Sequence, residues 1–290
     1  MKKDCGMGSP GANTLRFLAG FRYFRVGAGD GSTLTRASAN DPLCAGWFYL
    51  VEKRLFMKFL IISDLHGRTV WKEADFTRYD QIIFLGDYTD SYIVDDEIIY
   101  SNLNDIIQLK QSNPDKFVLL IGNHDAQYLH FPSYRCSGFR AWAQPALTDL
   151  FDKHYHLFQM AYQHGTYLFT HAGITNQWLM RFLTKIGNEA LMITPGYYLA
   201  GLLNEVYGEP SPLRNLLFEV SARRGGHDPF SGPIWADRSE TKFDYLAGFH
   251  QVVGHTPIDD FMTIGNEQGS ITYTDVLQTK TAFYEITIPD

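Results

Sequence analysis

The sequence predicts an α/β fold, and three observations carry that prediction. Five short apolar runs each close on Gly, Ser or Thr: residues 58–63 (KFLIIS), 81–86 (QIIFLG), 117–122 (FVLLIG), 166–170 (TYLFT) and 249–254 (FHQVVG). Runs this short and this rich in Ile, Val and Phe are what strands covered on both faces look like. A stretch at helical spacing separates the second run from the third, and alternation of strand with helix marks a layered α/β core. Finally, 290 residues with 45% hydrophobic and 15% aromatic content can fill such a core.

Residues 1–56 come first and stand apart in composition. They carry a formal charge of +4 against -11 for the rest of the chain. Within them "VGAGDGSTLTRASAND" scatters Gly and Ser with no hydrophobic period, which reads as a loop or a flexible extension. A second reading makes Met57 the natural start. "MKFLIISDLHG" opens directly on a strand, and codons for Glu52-Lys53-Arg54 can be all purine, where a bacterial ribosome-binding site would lie.

Beyond the second run, Val94 to Gln111 sets Ile98, Ile99, Leu103, Ile106, Ile107 and Leu109 at mostly helical spacing, and Asn113-Pro114 ends the element. Residues 174–235 hold little strand pattern but two helical stretches, "NQWLMRFLTKI" and "LRNLLFEVSARR". They read as an inserted cap or as a helical side of the same domain. After residue 255, "GSITYTDV" and "TAFYEITI" read as strands of a second sheet.

Composition narrows the function. The net charge of -7, with no basic run, disfavours long nucleic acid as a partner. Cys5, Cys44 and Cys136 form no CxxC pair and cannot pair completely, so neither a disulfide framework nor a thiolate zinc site is indicated. No apolar stretch reaches the ~18 residues of a membrane span, and the N-terminus lacks the apolar stretch and cleavage site of a secretory signal. A soluble, cytoplasmic protein is expected.

Each apolar run ends in groups that bind hard or borderline cations. The ends carry Asp64 and His66 in "SDLHG", Asp87 and Asp90 in "GDYTD", Asn123 and His124 in "GNHD", His171 in "THAG" and His255 in "GHTP". Strand ends of an α/β sheet open onto one crevice, where loops are free to aim side chains. Carboxylates and imidazoles without thiolates suit Mn, Fe or Zn. A pair of such ions about 3.5–4 Å apart can clamp a phosphoryl group and lower the pKa of water. The Asn123 amide would add a neutral ligand, and the imidazole beside it could serve as an acid.

The ordered series D-x-H, G-D-x-x-D, G-N-H-D, a later H and a final G-H resembles the calcineurin-like metallophosphoesterases, from about Lys58 to the C-terminus. The resemblance implies a four-layer α/β/β/α sandwich, here with a helical insertion at about 174–235, and a cofactor of two divalent ions. It implies that Asp64, His66 and Asp87 hold one ion, and that Asp87, Asn123, His171 and His255 hold the other. Hydrolysis by in-line attack of a metal-bridging hydroxide is expected, with His124 protonating the leaving oxygen and Asp90 orienting His124.

Two departures bear on the substrate. The protein serine/threonine phosphatases and diadenosine-tetraphosphatase-like enzymes read GDxVDRG, but Ser91 stands where their phosphate-gripping Arg would be. Arg68, Arg223, Arg224 and Arg238 are the candidates to replace it, since a guanidinium fork suits phosphate oxygens. The second departure is Thr256, which stands where nuclease and phosphodiesterase members carry a second His. The second departure and the acidic net charge point to a phosphomonoesterase acting on a phosphorylated protein or small molecule. The rivals are a nucleoside polyphosphate hydrolase or phosphodiesterase, and a non-catalytic metal-binding scaffold. Tyr88, Tyr92 and Trp235 could stack on a base, although packing is the simpler expectation. His130, His154, His156, His164, His227 and His250 read as ordinary packed or surface residues.

Overall fold

The computed structural model describes residues 55–188 and 197–290, so the expected N-terminal extension lies outside the described residues except for its last two. The apolar runs form two five-stranded sheets. In the first, β1 (Phe56–Ile62), β2 (Gln81–Phe84), β3 (Phe117–Leu120) and β4 (Phe158–Gln159) run parallel in that order. The second holds β5 (Ala161–His164), β6 (Tyr167–Thr170), β7 (His250–Val253), β8 (Met262–Asn266) and β9 (Gly269–Tyr273), in the spatial order β5-β6-β7-β9-β8. Strands β6, β7 and β9 are mutually parallel, while β5 and β8 pair antiparallel at the edges.

One expectation is corrected. The segment "TAFYEITI" does not join the second sheet. Its strand, β10 (Tyr284–Pro289), crosses back and pairs antiparallel with β1, with Met57 opposite Ile288 and Phe59 opposite Ile286. The outer side of β1 would otherwise expose a row of unpaired N–H and C=O groups. Covered on one face only, β10 alternates buried or half-buried with exposed residues, as an edge strand does.

Side-chain alternation builds the layers. Phe59, Ile61, Ile83, Leu85, Val118 and Leu120 of the first sheet meet Phe169 and Val252 of the second in one buried cluster between the sheets. Their sequence neighbours Leu60, Ile62, Ile82, Phe84 and Leu119 turn the other way and join a cluster with Ile99, Leu103, Ile106 and Ile107. Those four belong to α1 (Asp96–Ser112), which starts two residues later than its apolar pattern because Asp95 takes the cap position. Asp96 and Glu97 then meet the positive end of the helix dipole in the first turn.

Helices α2 (Asn123–Leu129) and α3 (Gln144–His154) follow the third strand. Within 174–235, α4 (Asn176–Lys185) matches the first expected helix, and α5 (Leu199–Gly208) is one that the periodicity did not single out. Trp178, Phe182, Leu183, Leu199 and Leu203 from these two helices belong to the same core cluster as α1. "LRNLLFEVSARR" is not one helix. It forms two 3-10 segments, Pro212–Phe218 and Ala222–Arg224, parted where the Asp228 carboxylate accepts from Val220 N–H (2.9 Å) and Ser221 caps the second (3.2 Å). Helix α6 (Arg238–Asp244) is closed at its N-terminus by a capping box of Asp237 and Glu240. Among the described residues, no helix is long and apolar enough to cross a membrane.

The intersheet layer gives a stability test. Phe169 is fully buried between the sheets, so Phe169→Ala should lower the unfolding free energy by about 3–5 kcal/mol. Urea denaturation followed by circular dichroism measures the change.

Candidate active site

The parallel strands of both sheets end at one crevice, and the residues that follow β1, β2, β3, β6 and β7 bring Asp64, His66, Asp87, Asn123, His171 and His255 together. The backbone there is strained. Asp64, His66, Asp87, Asp90 and His255 all sit in the left-handed region, with φ of 47°, 46°, 56°, 57° and 66°. Each such residue costs about 1–2 kcal/mol relative to right-handed backbone, and Asp tolerates the region better than most.

Close approach explains two of the motif glycines. A Cβ on Gly122 would run into the carboxylate and backbone nitrogen of Asp87, and one on Gly254 into the side chains of Asp64 and Ser63. The Gly of "GN" and the Gly of "GH" are therefore what let the neighbouring carboxylates lie against another strand's backbone.

Asp125 ties two of these loops into one unit. Its fully buried carboxylate accepts from the backbone N–H groups of Gly122 (3.0 Å), Asp87 (2.6 Å), Tyr88 (2.9 Å) and Thr89 (3.2 Å), and from the Thr89 hydroxyl (3.1 Å). Burial and the adjacent Asp87 charge push its pKa up to about 7, against the pull of these donors. Further bonds lock the remaining loops. His124 N–H donates to Asp87 Oδ1 (3.0 Å), His255 N–H to Asp64 Oδ1 (2.9 Å), and His66 N–H to the Asp87 carbonyl (2.8 Å).

Two groups of side chains could hold a metal ion. Ligand atoms of Asp64, His66 and Asp87 lie within 4.8 Å of one another, and so do those of Asp87, His171 and His255. The Asn123 Oδ1 lies 3.0 Å from His171 Nε2, which is also 3.4 Å from Asp87 Oδ2. His66 Nδ1 donates to the carbonyls of Thr89 and Asp90 (2.9 and 3.0 Å), and His171 Nδ1 to that of Leu85 (2.9 Å). Each ring is thereby oriented with Nε2 toward the carboxylates. His255 Nε2 is buried with no hydrogen-bond partner. An orphaned imidazole nitrogen beside carboxylates, in a set of oxygen and nitrogen donors, fits Mn, Fe or Zn.

Electrostatics agree with that fit. Burial disfavours charge on Asp87, but the imidazoles of His171 and His124 hold its carboxyl well below the usual range. Burial works to lower the His171 pKa, and the carboxylates of Asp87 and Asp64 override it, pushing it up to about 9. Burial and the neighbouring His171 instead hold the His255 imidazole well below its usual value, in the neutral form a ligand needs. Asp64 is raised, mainly by burial, with the neighbouring Asp87 adding to it.

His124 sits at the start of α2, apart from these ligand groups. Its Nδ1 donates to Asp90 Oδ2 (2.8 Å). Asp90, itself buried, also accepts from Gln127 Nε2 and from the Tyr128 hydroxyl, which in turn accepts from Arg140 N–H (2.9 Å). Burial lowers the His124 pKa, but the Asp87 charge and the Asp90 hydrogen bond outweigh it and push it up to about 12. The sequence motifs single out neither Gln127 nor Tyr128. A helical spacing of three and four residues from His124 and Asn123 was the available signal, because it places them on the same face.

His66, Asp87, Asp90, Asn123, His124 and His255 line a cleft of about 500 Å3. Of the four candidate arginines, Arg68 and Arg224 line it, whereas Arg223 is exposed and neither Arg223 nor Arg238 is among the lining residues. Arg224 is anchored by an ion pair to Asp237 (2.8 Å) and donates to Thr256 Oγ1 (2.6 Å). Ser91 serves a turn: its Oγ accepts from Ile93 and Val94 N–H (3.3 and 3.2 Å), while Arg140 donates to its carbonyl.

The aromatic candidates separate. Tyr88 is buried and donates to the Leu120 carbonyl (3.0 Å), so it cannot stack on a ligand. Tyr92, 91% exposed, and Trp235 lie on the cleft. His130 packs among Tyr134, Tyr155, Tyr207 and Phe218, His164 and His250 bond to Pro289 and Ser270, and His227 is exposed outside the cleft lining.

Comparison with known proteins bears on this geometry. The calcineurin-like phosphoesterase family profile matches residues 57–259. No curated protein matches the chain. A mutant of a cold-active protein tyrosine phosphatase is similar over 81% of this chain and 76% of its own, with 16% identity and a TM-score of 0.50. The cold-active protein tyrosine phosphatase of a psychrophilic Shewanella species covers the same shares at 19% identity and a TM-score of 0.49. A protein serine/threonine phosphatase from Saccharomyces cerevisiae aligns over 77% of this chain and 69% of its own, at 14% identity and a TM-score of 0.46. At such identities the likeness is one of fold.

The His124–Asp90 pair is directly testable. In the metal-free protein, imidazole resonances of His124 should remain those of the protonated ring from pH 7 to pH 9, because a raised pKa keeps the proton on as pH rises. Asp90→Asn should move the titration down toward the ordinary His range, as followed by NMR.

Proposed function

The chain belongs to the calcineurin-like phosphoesterases, metal-dependent hydrolases of phosphate esters, and from that premise we propose that it hydrolyses phosphomonoesters, on a protein or a small molecule. The observation that carries this reading is Arg224 seated against Thr256. At the position where a second imidazole would make a diesterase-type site, a guanidinium held by Asp237 reaches the cleft instead. A fixed planar fork suits the dianionic terminal oxygens of a monoester better than the single charge of a diester.

Asp64, His66 and Asp87 would hold one divalent ion, and Asp87, Asn123, His171 and His255 the other. Such ions, when bound, neutralise phosphoryl charge and make water acidic enough to attack near neutral pH. The chain's own groups supply the rest. Arg68 and Arg224 grip the non-bridging phosphate oxygens and orient the phosphorus for in-line attack. His124, protonated and fixed by Asp90, gives a proton to the leaving oxygen. Gln127 and Tyr128 keep Asp90 aimed by donating to it. That acid apparatus is what a purely metal-binding scaffold would lack.

One observation keeps a second substrate in view: Tyr92 projects at the rim with 91% of its surface exposed, and Trp235 stands on the same cleft. A nucleoside polyphosphate could stack there.

The experiment is hydrolysis of p-nitrophenyl phosphate against bis-p-nitrophenyl phosphate by Mn-loaded enzyme, with Asp87→Asn as the blank. Monoester preference is expected, with no turnover above background for the variant, and diester preference would reject the reading. Arg224→Ala should raise KM for the monoester by about 10- to 100-fold, the worth of a charge-assisted hydrogen bond or two. An unchanged KM would remove Arg224 from the clamp.

A further inference from the structure

Strand β9 is the remaining inner strand of the second sheet, parallel to β7, and its C-terminal end points to the same crevice. Two residues past it stands Asp275, only 2% exposed and among the residues that line the cleft. Its Oδ1 has no hydrogen-bond partner. The backbone on either side is firmly held: the Asp275 carbonyl accepts from Ile258 N–H (2.9 Å), and Thr274 N–H donates to the Val253 carbonyl (2.8 Å). The carboxylate is therefore carried to the site on rigid backbone and not on a loose loop.

A buried carboxylate without a partner is unfavourable, and like charges beside it make it more so. The strongest charged neighbours of Asp275 are Asp64 and then Asp87, both carboxylates. The opposing influences are His171 and then Arg68, and Arg68 donates to the Leu65 carbonyl (3.1 Å). Among the described residues no cation forms an ion pair with Asp275. A cation bound in the cleft would stabilise the ionised form of this carboxyl group.

We propose that Asp275 is an outer carboxylate of the metal centre, holding the ion of the Asp64–His66–Asp87 group through its bound water and raising that group's affinity for divalent cations. The inference rests on the divalent-ion reading of the site. Asp275 falls outside both groups whose ligand atoms lie within 4.8 Å of one another, so it reaches the ion indirectly. Outer partners of this kind change metal affinity by about 10- to 100-fold when removed.

The test is calorimetric titration of metal-free, full-length protein with Mn2+, comparing wild type with Asp275→Asn and Asp275→Ser. One of two binding events should weaken by about 10- to 100-fold in both variants while the other is unchanged. The melting temperature of the metal-free variants should equal or exceed that of wild type, since the buried Asp275 Oδ1 makes no hydrogen bond that the substitutions remove. Unaltered affinity in both variants overturns the proposal. So does a lower metal-free melting temperature in both, which would make Asp275 a structural residue. If wild type itself binds no Mn2+, the metal reading of the site fails together with this one.

Discussion

The buried carboxylate of Asp125 is the interaction on which the site depends. It accepts five hydrogen bonds, four of them from backbone N–H groups and three of those from the consecutive residues Asp87, Tyr88 and Thr89. One side chain thus fixes the path of the loop after β2 relative to the start of α2. Everything the chemistry needs from those two elements depends on that lock: where Asp87 stands, where Asn123 and His124 begin, and how Asp90 meets His124. An aspartate does this well because its two oxygens can serve several donors at once without moving.

The arrangement runs against ordinary stability. Asp64, Asp87 and Asp125 are buried within reach of one another, and five site residues hold left-handed backbone. In the metal-free protein the histidines offset part of the crowding, with His171 protonated by the surrounding carboxylates. Divalent ions would displace that proton, so loading exchanges one positive charge for a stronger one. The intersheet core supplies the rigidity that keeps such a site from relaxing, because both sheets end their parallel strands there and neither can shift without moving Phe169 and its neighbours.

In the proposed function, substrate choice would be set largely outside the Asp125 lock. Ser91 turns the loop after Asp90, and the guanidinium of the cleft comes from the segment 221–226, fastened through Asp237 and Thr256. In the proposed reading Arg224 comes from the segment before α6, while Arg68 and the groups that would bind metal follow strands of the two sheets.

The residues alone determined the α/β class, the strand ends that meet, and the order of ligating groups. Those features are local: an apolar run long enough for a strand, a Gly where two backbones approach, and an acid or imidazole directly after. The sequence also supplied the His124–Asp90 pairing, through resemblance. What it could not supply were contacts between residues far apart in the chain with no common spacing. The return of β10 to the first sheet depended on which edge stood open, and the seat of Arg224 on Thr256 on how two loops fold together. Tyr88 was separated from Tyr92 and Trp235 only by its burial, and Asp275 read as the end of an ordinary strand. In each case the deciding quantity was burial or a long-range partner, which exists only once the sheets have closed over the core.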